Sequence, residues 1–302
     1  MGFIKEIMKN RQLYTLAIPG IVFLALFSYI PMFGHLIAFE RFQPVKGIWG
    51  SEWVGLDNFK FFFGSQDWLR VTFNTVYLNA LFLIFGIGIA LLLAILINEA
   101  TSTLLKKISQ SLIFLPYFIS WLVVSLMIMA FMSTDGLLNQ WLGQLGISEV
   151  NWYQNAKLWP IILTLVYVWK FSGYYSVIFM AAIVGISNEY YESARIDGAT
   201  RLQQILHITI PSIRSVIVVL LLLGVGRIFF GDFGMIYGII GDNSILFPTT
   251  DVIDTYSFRA LRQLGNFGMS SAVVLYQSIM GIAAILIFNK IAKKIDPESR
   301  LF

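Results

Sequence analysis

The chain has 302 residues, 57% of them hydrophobic and 13% charged, with a net charge of +4. Soluble domains carry about 25% charged residues, so an ordinary soluble fold is excluded. The absence of cysteine excludes disulfides, thiolate metal sites and thiol catalysis.

A bilayer core takes about 20 mostly apolar residues per helix. Six runs approach or exceed that length, at about 13–39, 73–97, 110–132, 159–186, 212–230 and 267–289. They predict an all-α polytopic membrane protein, a single transmembrane domain over residues 1–302 embedded in a lipid bilayer. The first run is too long for the apolar core of a secretion leader and lacks a small-residue cleavage site, so it is expected to stay as the first span. Residues 40–72 form a loop rich in aromatics, among them Trp49, Trp53, Phe61 and Trp68. Such rings either anchor at the membrane–water boundary or offer an outer docking surface. Residues 228–248 mix apolar side chains with four glycines and two aspartates. They read as an irregular outer segment, or one dipping back to line a cavity, since non-helical backbone at membrane depth must be satisfied by protein or water. The chain closes on KKIDPESRLF, a tail whose helix is expected to stop before Pro297.

The loops fall into two sets. One (1–14, 98–110, 187–214 and 290–302) holds twelve Lys and Arg, including Lys5, Lys106 and Lys290; the other (40–72, 133–158 and 231–270) holds seven against ten acids. The positive-inside rule therefore puts both termini and the 187–214 loop in the cytoplasm. These basic residues flank spans rather than forming a patch, so nucleic acid is not an expected partner.

The stretch YYESARIDGATRLQQILHITIP at 190–211 stands out between apolar runs. Ser187 or Asn188 can cap a helix whose first turn carries Glu189 and Glu192, where the dipole favours acids. Gly198 sits where a helix C-terminus wants positive φ. Thr200 and Gln203 have the spacing of a capping box, followed by Leu202, Ile205 and Leu206 on one face. Two short helices joined by a tight turn are expected, with Pro211 at the entry to the next span. Ala194 is small enough to let another surface approach. The chain has no phosphate-binding G-x-x-x-x-G-K-[ST] loop, so energy for uphill work would come from another subunit.

Glu192-Ser193-Ala194, three residues, Gly198, nine residues, then Ile208-Thr209-Ile210-Pro211 resembles the EAA loop of permease subunits in binding-protein-dependent ABC importers. The family pattern has alanine at the position of Ser193 and leucine at that of Ile210; the spacing is intact. The segments YIPMFGHLIAF, KGIWGSEWVGLDNF, LPYFISWLVV and TTDVIDTYSFR are similar to the oligosaccharide and polysaccharide branch of the maltose-type permeases, and the resemblance covers nearly the whole chain. It implies a type I importer permease fold in a bacterial plasma membrane. It also implies a second, usually non-identical permease, two ATPase subunits that bind the ATP and Mg, and an extracytoplasmic sugar-binding protein. No cofactor is expected in this chain, and no enzymatic activity. By the same resemblance the loop at about 187–211 carries the coupling helix. Glu189, Glu192, Ala194, Gly198 and Pro211 are then coupling positions, with Arg195 and Asp197 as polar contacts beside them.

Charges inside a membrane are costly and point to function. Lys170 lies midway along the fourth run, beside Trp169, Tyr174 and Tyr175; Arg227 lies within the fifth, followed by Asp232. Rings that stack on sugar C–H faces and cations that pair with a uronate carboxylate would suit a glycan path. Equally, Lys170 or Arg227 can pair with Asp232, or with an acid on the second permease, and only hold helices together. Trp121, Tyr276 and Gln277 are weaker path candidates, and His35 and His207 have no metal-type spacing. Two other readings compete. The cargo of such an importer could be a glycerol-phosphate-like solute, or the chain could be a membrane glycosyltransferase using Asp251 and Asp254, whose i, i+3 spacing permits a shared face.

Overall fold

The computed structural model describes residues 9–295; Lys5 and the expected helix stop at Pro297 lie outside the described residues. The backbone divides into two compact units. One is Met1–Ser65 with Ser257–Tyr276, the other Gln66–Tyr256 with Gln277–Phe302.

The first unit begins with α1 (Arg11–Leu24), which continues through a π turn (Ala25–Tyr29) into a 3-10 helix (Ile30–Phe39). Pro31 has no N–H to return to the preceding turn, and the ladder changes register just before it. None of the apolar window of this helical run is buried. A two-residue antiparallel pair follows, β1 (Glu40–Arg41) with β2 (Glu52–Trp53). Asn58, near the start of α2 (Asp57–Gly64), locks it by donating from Nδ2 to the carbonyls of Ala38 and Glu40, both at 3.0 Å.

In the second unit, α3 (Asp67–Glu99) packs along α7 (Trp159–Val184). Ala90 and Ala94 lie in one apolar cluster with Phe179, Ile183 and Ile213; small residues let membrane helices approach closely. A second cluster joins Leu78 and Phe82 of α3, Leu163 and Val166 of α7, and Met235, Ile236 and Ile239. These last three belong to α11 (Phe233–Ile240), whose N-cap Asp232 accepts the Met235 N–H at 3.1 Å. Part of the 228–248 segment is thus a buried helix, held in the core by the isoleucines between its glycines.

The third run is not one helix. α4 (Thr103–Phe114) passes into a 3-10 turn (Leu115–Phe118), and α5 (Trp121–Met132) starts afresh under a Ser120 cap, Oγ accepting from Val123 N–H at 3.4 Å. Pro116, which cannot donate to the preceding turn, accounts for the break. The apolar run that reaches spanning length there is Trp121–Gln144, shifted from the expected 110–132, and it includes α6 (Leu137–Gln144).

The loop after α7 forms α8 (Asn188–Ile196) and α9 (Arg201–Ser212), and α9 meets α10 (Arg214–Val225) at 59°. The fifth run therefore ends its helix at Val225 rather than at 230, and a turn over 226–229 follows. α12 (Ile253–Leu264) and α13 (Phe267–Ile295) complete the chain. By length and composition five helices can cross a membrane, or six if the bent pair α9–α10 counts as one span.

Gly173 makes the seat for the broken third run. A Cβ built there would lie 1.9 Å from the Ile113 carbonyl oxygen and 2.9 Å from the Phe114 nitrogen, so the end of α4 rests directly on the α7 backbone. Overpacking such a contact costs about 1–3 kcal/mol or more, because the obstacle is backbone. Gly173→Val is therefore expected to lower the thermal stability and membrane yield of the protein. Gly88→Val, at a glycine with nothing within 4 Å of the added atom, should not; equal stability of the two variants contradicts this packing.

Candidate functional site

The 187–211 loop is built from local bonds. Ser187 Oγ accepts the Glu189 N–H at 3.3 Å and opens α8. The helix closes with two crossing bonds, Ala199 N–H to the Ala194 carbonyl at 2.8 Å and Gly198 N–H to the Arg195 carbonyl at 3.1 Å. This is the Schellman arrangement, and it requires a left-handed residue after the cap; Gly198 supplies it with φ +78°. Thr200 and Gln203 complete a reciprocal capping box, Thr200 N–H to Gln203 Oε1 at 2.7 Å and Gln203 N–H to Thr200 Oγ1 at 3.4 Å. Gln204, 4% exposed, donates to the Ala199 carbonyl at 3.0 Å, and the Tyr191 hydroxyl meets Thr209 Oγ1 at 2.9 Å. Arg201 reaches Glu99 at the end of α3 at 3.8 Å.

No residue of α8 is buried. Glu189, Glu192, Arg195 and Asp197 are exposed, as is Pro211 near the end of α9, while Ala194 is half-buried. Ala194, Asp197, Gly198, Gln203 and His207 surround an open hollow of ≈350 Å³ between the two short helices. His207 Nδ1 lies 3.0 Å from the Gln203 carbonyl. The loop is thus a rigid, self-capped projection with a socket beside it and charges of both signs around it.

The intramembrane candidates divide. Lys170 is 5% exposed, and its ammonium donates to the carbonyls of Pro116 at 3.3 Å, Tyr117 at 3.0 Å and Ile119. An ammonium has three donors, and the break in the third run leaves helix-terminal carbonyls in need of them. The nitrogen also lies 5.0 Å from the centroid of the Trp121 ring, a cation–π contact. Trp121 in turn donates from Nε1 to Asp232 Oδ2 at 3.0 Å. Among the described residues Lys170 and Asp232 form no direct ion pair; the indole stands between them. Burial holds the Asp232 carboxyl above its ordinary range, opposed by the Met235 N–H, the Trp121 indole and the charges of Arg227 and Lys170.

Tyr174 stacks on Tyr117 with centroids 4.6 Å apart, and Tyr175 lies edge-on to Tyr174 at 5.4 Å. Lys170, Tyr174, Tyr175 and Asp232 are therefore gathered around the broken run. Trp169 is not among them: it lies 42% exposed on another face of α7. Arg227 sits exposed in the turn beyond α10 instead of within a helix, because the helix ends at Val225. Gln277, 3% exposed, donates to the Phe229 carbonyl at 2.7 Å and to Asp254 Oδ2 at 2.8 Å. Tyr276 belongs to the first unit, packed against Phe62 and Phe63. Asp254 also accepts the Gly231 N–H at 2.7 Å, and burial pushes its carboxyl up. Asp251 accepts the Thr255 hydroxyl at 2.7 Å. Each aspartate thus serves its own local bonds.

Sequence reasoning passed over Asn74 and Asn79. Asn74 Nδ2 donates to the Pro248 carbonyl at 3.2 Å and the Asp251 carbonyl at 3.1 Å; Asn79 Nδ2 donates to Ile228 at 3.1 Å. Two amides inside an apolar span were the available signal. Lys170→Met should strand the carbonyls at the break, at about 1–3 kcal/mol for each left unsatisfied. A lower melting temperature of the purified complex is expected, and unchanged stability contradicts the clamp.

Residues 86–298 match the family described as binding-protein-dependent transport system inner membrane component. The chain is 36% identical to protein LplB of Bacillus subtilis (strain 168), over 99% of this chain and 93% of that protein. It is 35% identical to the polygalacturonan/rhamnogalacturonan transport system permease protein YteP of the same organism, over 97% and 91%. Among solved structures, a chain of a bacterial ABC transporter involved in the import of the acidic polysaccharide alginate superposes with a TM-score of 0.87 at 32% identity, covering 97% of this chain and 98% of that one. A chain of a bacterial alginate ABC transporter in complex with alginate pentasaccharide-bound periplasmic protein superposes with a TM-score of 0.87 at 31% identity, covering 97% of this chain and 98% of that one. With its membrane-spanning helices, the EAA-type loop and these likenesses, the chain belongs to the binding-protein-dependent transport system inner membrane components.

Proposed function

We propose that this chain is one of two membrane permeases of an ATP-driven importer for oligosaccharides or polysaccharide fragments, with acidic glycans the favoured cargo. The observation that carries the reading is α8: a helix with no buried residue, fixed at both ends by its own bonds, of the kind that can transmit displacement without deforming. In this reading α8 and its neighbouring socket seat against a separate ATPase. Glu189, Glu192, Ala194, Arg195, Asp197 and Gly198 form the contact, and Pro211 sets the link into α10. Both termini and this loop face the cytoplasm, as the distribution of Lys and Arg supports. A second permease completes the path, an extracytoplasmic binding protein delivers the glycan, and ATP with Mg is held by the ATPase pair.

Closure of the ATPases on ATP draws the two coupling helices together and opens the permease pair outward; hydrolysis lets it return inward. No chemistry on the sugar is involved. The glycan reading over a glycerol-phosphate-like solute rests on the likeness to YteP at 35% identity and to the alginate importer at 32%. An sn-glycerol-3-phosphate permease from Yersinia pestis is 28% identical. Tyr174, Tyr175 and Tyr117 form the aromatic face available to the path, Lys170 and Asp232 support the backbone behind it, and Arg227, exposed in its turn, is a cation that can meet a carboxylate.

Gly198→Val puts a β-branched side chain at φ +78°, a genuine outlier for such a residue; it is expected to release the ATPase on purification or to leave hydrolysis running without uptake. Glu192→Lys, exposed and outside the caps, should do the same without loss of folding. Co-purification and the ratio of glycan uptake to hydrolysis check this; a complex that couples normally in both variants contradicts it. Arg227→Ala is expected to reduce uptake of an acidic oligosaccharide with ATPase binding intact.

A further inference from the structure

Beyond α5 the chain builds a second rigid hollow. Met129 and Thr134 on one side and Asn151, Trp152, Tyr153 and Gln154 on the other enclose ≈330 Å³. That is at the small end of ligand pockets, which run about 300–1,000 Å³. The hollow is held from beneath by Asn139, 4% exposed. Its Nδ2 donates to the carbonyls of Thr134 at 2.9 Å and Val150 at 3.1 Å, and its Oδ1 accepts the Val150 N–H and the Trp152 indole N–H, both at 3.1 Å. Trp159 Nε1 holds the Trp152 carbonyl at 2.9 Å and Asn243 Nδ2 the Tyr153 carbonyl at 2.9 Å. Pre-organisation of this kind lowers the ordering cost of binding.

The lining chemistry is specific. The rings of Trp152 and Tyr153 are half-exposed, while Thr134, Asn151 and Gln154 are exposed at the rim. No side chain of the lining is charged. Burial pushes the Tyr153 phenol above its ordinary value, so it stays a hydrogen-bond donor. Rings that accept a flat C–H face and amides that can both donate and accept are what a pyranose ring requires, and the nearby Asp135 carboxylate is not part of the lining.

The geometry points to a glycan subsite in this hollow, taking one pyranose unit of the oligosaccharide by stacking on Trp152 and Tyr153 with Asn151 and Gln154 bonding its hydroxyls. It rests on the oligosaccharide reading above and adds a contact outside the aromatic face of the broken run. In the proposed orientation the 133–158 loop lies on the outer side, where a delivered chain is first met.

The test places a nitroxide at Asp135→Cys, an exposed neighbour of the hollow, in the assembled importer in lipid nanodiscs; this subunit has no other cysteine. The probes are tetragalacturonate and maltotetraose, observed by proton NMR line broadening. Broadening of at least one glycan is expected. Trp152→Ala should abolish it, and Gln154→Leu, which touches no bond of the Asn139 hub, should weaken it about threefold to tenfold, the worth of one hydrogen bond. Broadening of neither probe, or broadening that both variants leave unchanged, overturns the subsite; a label that responds only to lipid composition means acyl chains fill the hollow and also overturns it. Glycan binding is read at the label and not through uptake, so intact glycan uptake with no broadening removes the subsite alone. Absence of uptake for every glycan removes the proposed cargo.

Discussion

A polypeptide that breaks its helices at membrane depth must find partners for the backbone groups it frees, because the hydrocarbon supplies none. The Lys170 ammonium, set against the carbonyls of Pro116, Tyr117 and Ile119, is the strongest instance here. It lets the third run stop, turn and restart as α5 while resting on the notch at Gly173. Burying an ammonium is costly unless it is bonded throughout, and three carbonyl acceptors meet that condition. The indole of Trp121 then links this knot to Asp232 and the start of α11.

The same solution recurs at other irregular segments of the second unit. Asn79 and Gln277 hold the carbonyls of Ile228 and Phe229 in the turn beyond α10, and Asp254 takes the Gly231 N–H. Asn74 serves carbonyls of the short helix Phe247–Thr250 and of Asp251 that caps it. Polar side chains inside the helical core are thus spent largely on backbone, and Tyr117, Tyr174 and Tyr175 stack on one another beside the knot. The loop at 187–211 works differently. Its bonds lie within the loop itself, mostly between residues a few positions apart; a weak outward tie is the Arg201–Glu99 pair, and exposed pairs of that kind contribute about 0–1 kcal/mol. A stiff element loosely tied to its surroundings is suited to being moved as a body.

This contrast explains what could be read from the sequence. Caps, a box spacing and a glycine at the C-terminus are local rules, so α8, the turn at Gly198 and the Thr200 start of α9 were legible residue by residue. The long helices α3, α7 and α13 were legible as lengths of apolar chain. The break in the third run had a visible signal in Pro116 and Ser120, but apolar length alone overrode it. The early end of the fifth run at Val225 and the exposed position of Arg227 followed from glycines at 224 and 226 that a hydropathy reading counts as neutral. The partners of Lys170 lie some fifty residues away in sequence and are backbone atoms, so no pattern of side chains could name them. An acid or the cargo was the expected partner; carbonyls hold it instead.

The account stands or falls on α8 as the element that meets the motor. The most direct measurement is cross-linking from a cysteine at Ile196, a side chain 87% exposed at the tip of the helix, in a subunit with no other thiol. In membranes carrying the assembled importer, the account predicts a cross-link to the ATPase subunit whose yield changes when ATP binds, with labelling by impermeant reagents only from the cytoplasmic side. Labelling from the outer side, or a cysteine that reaches no ATPase in an intact and active complex, would contradict it.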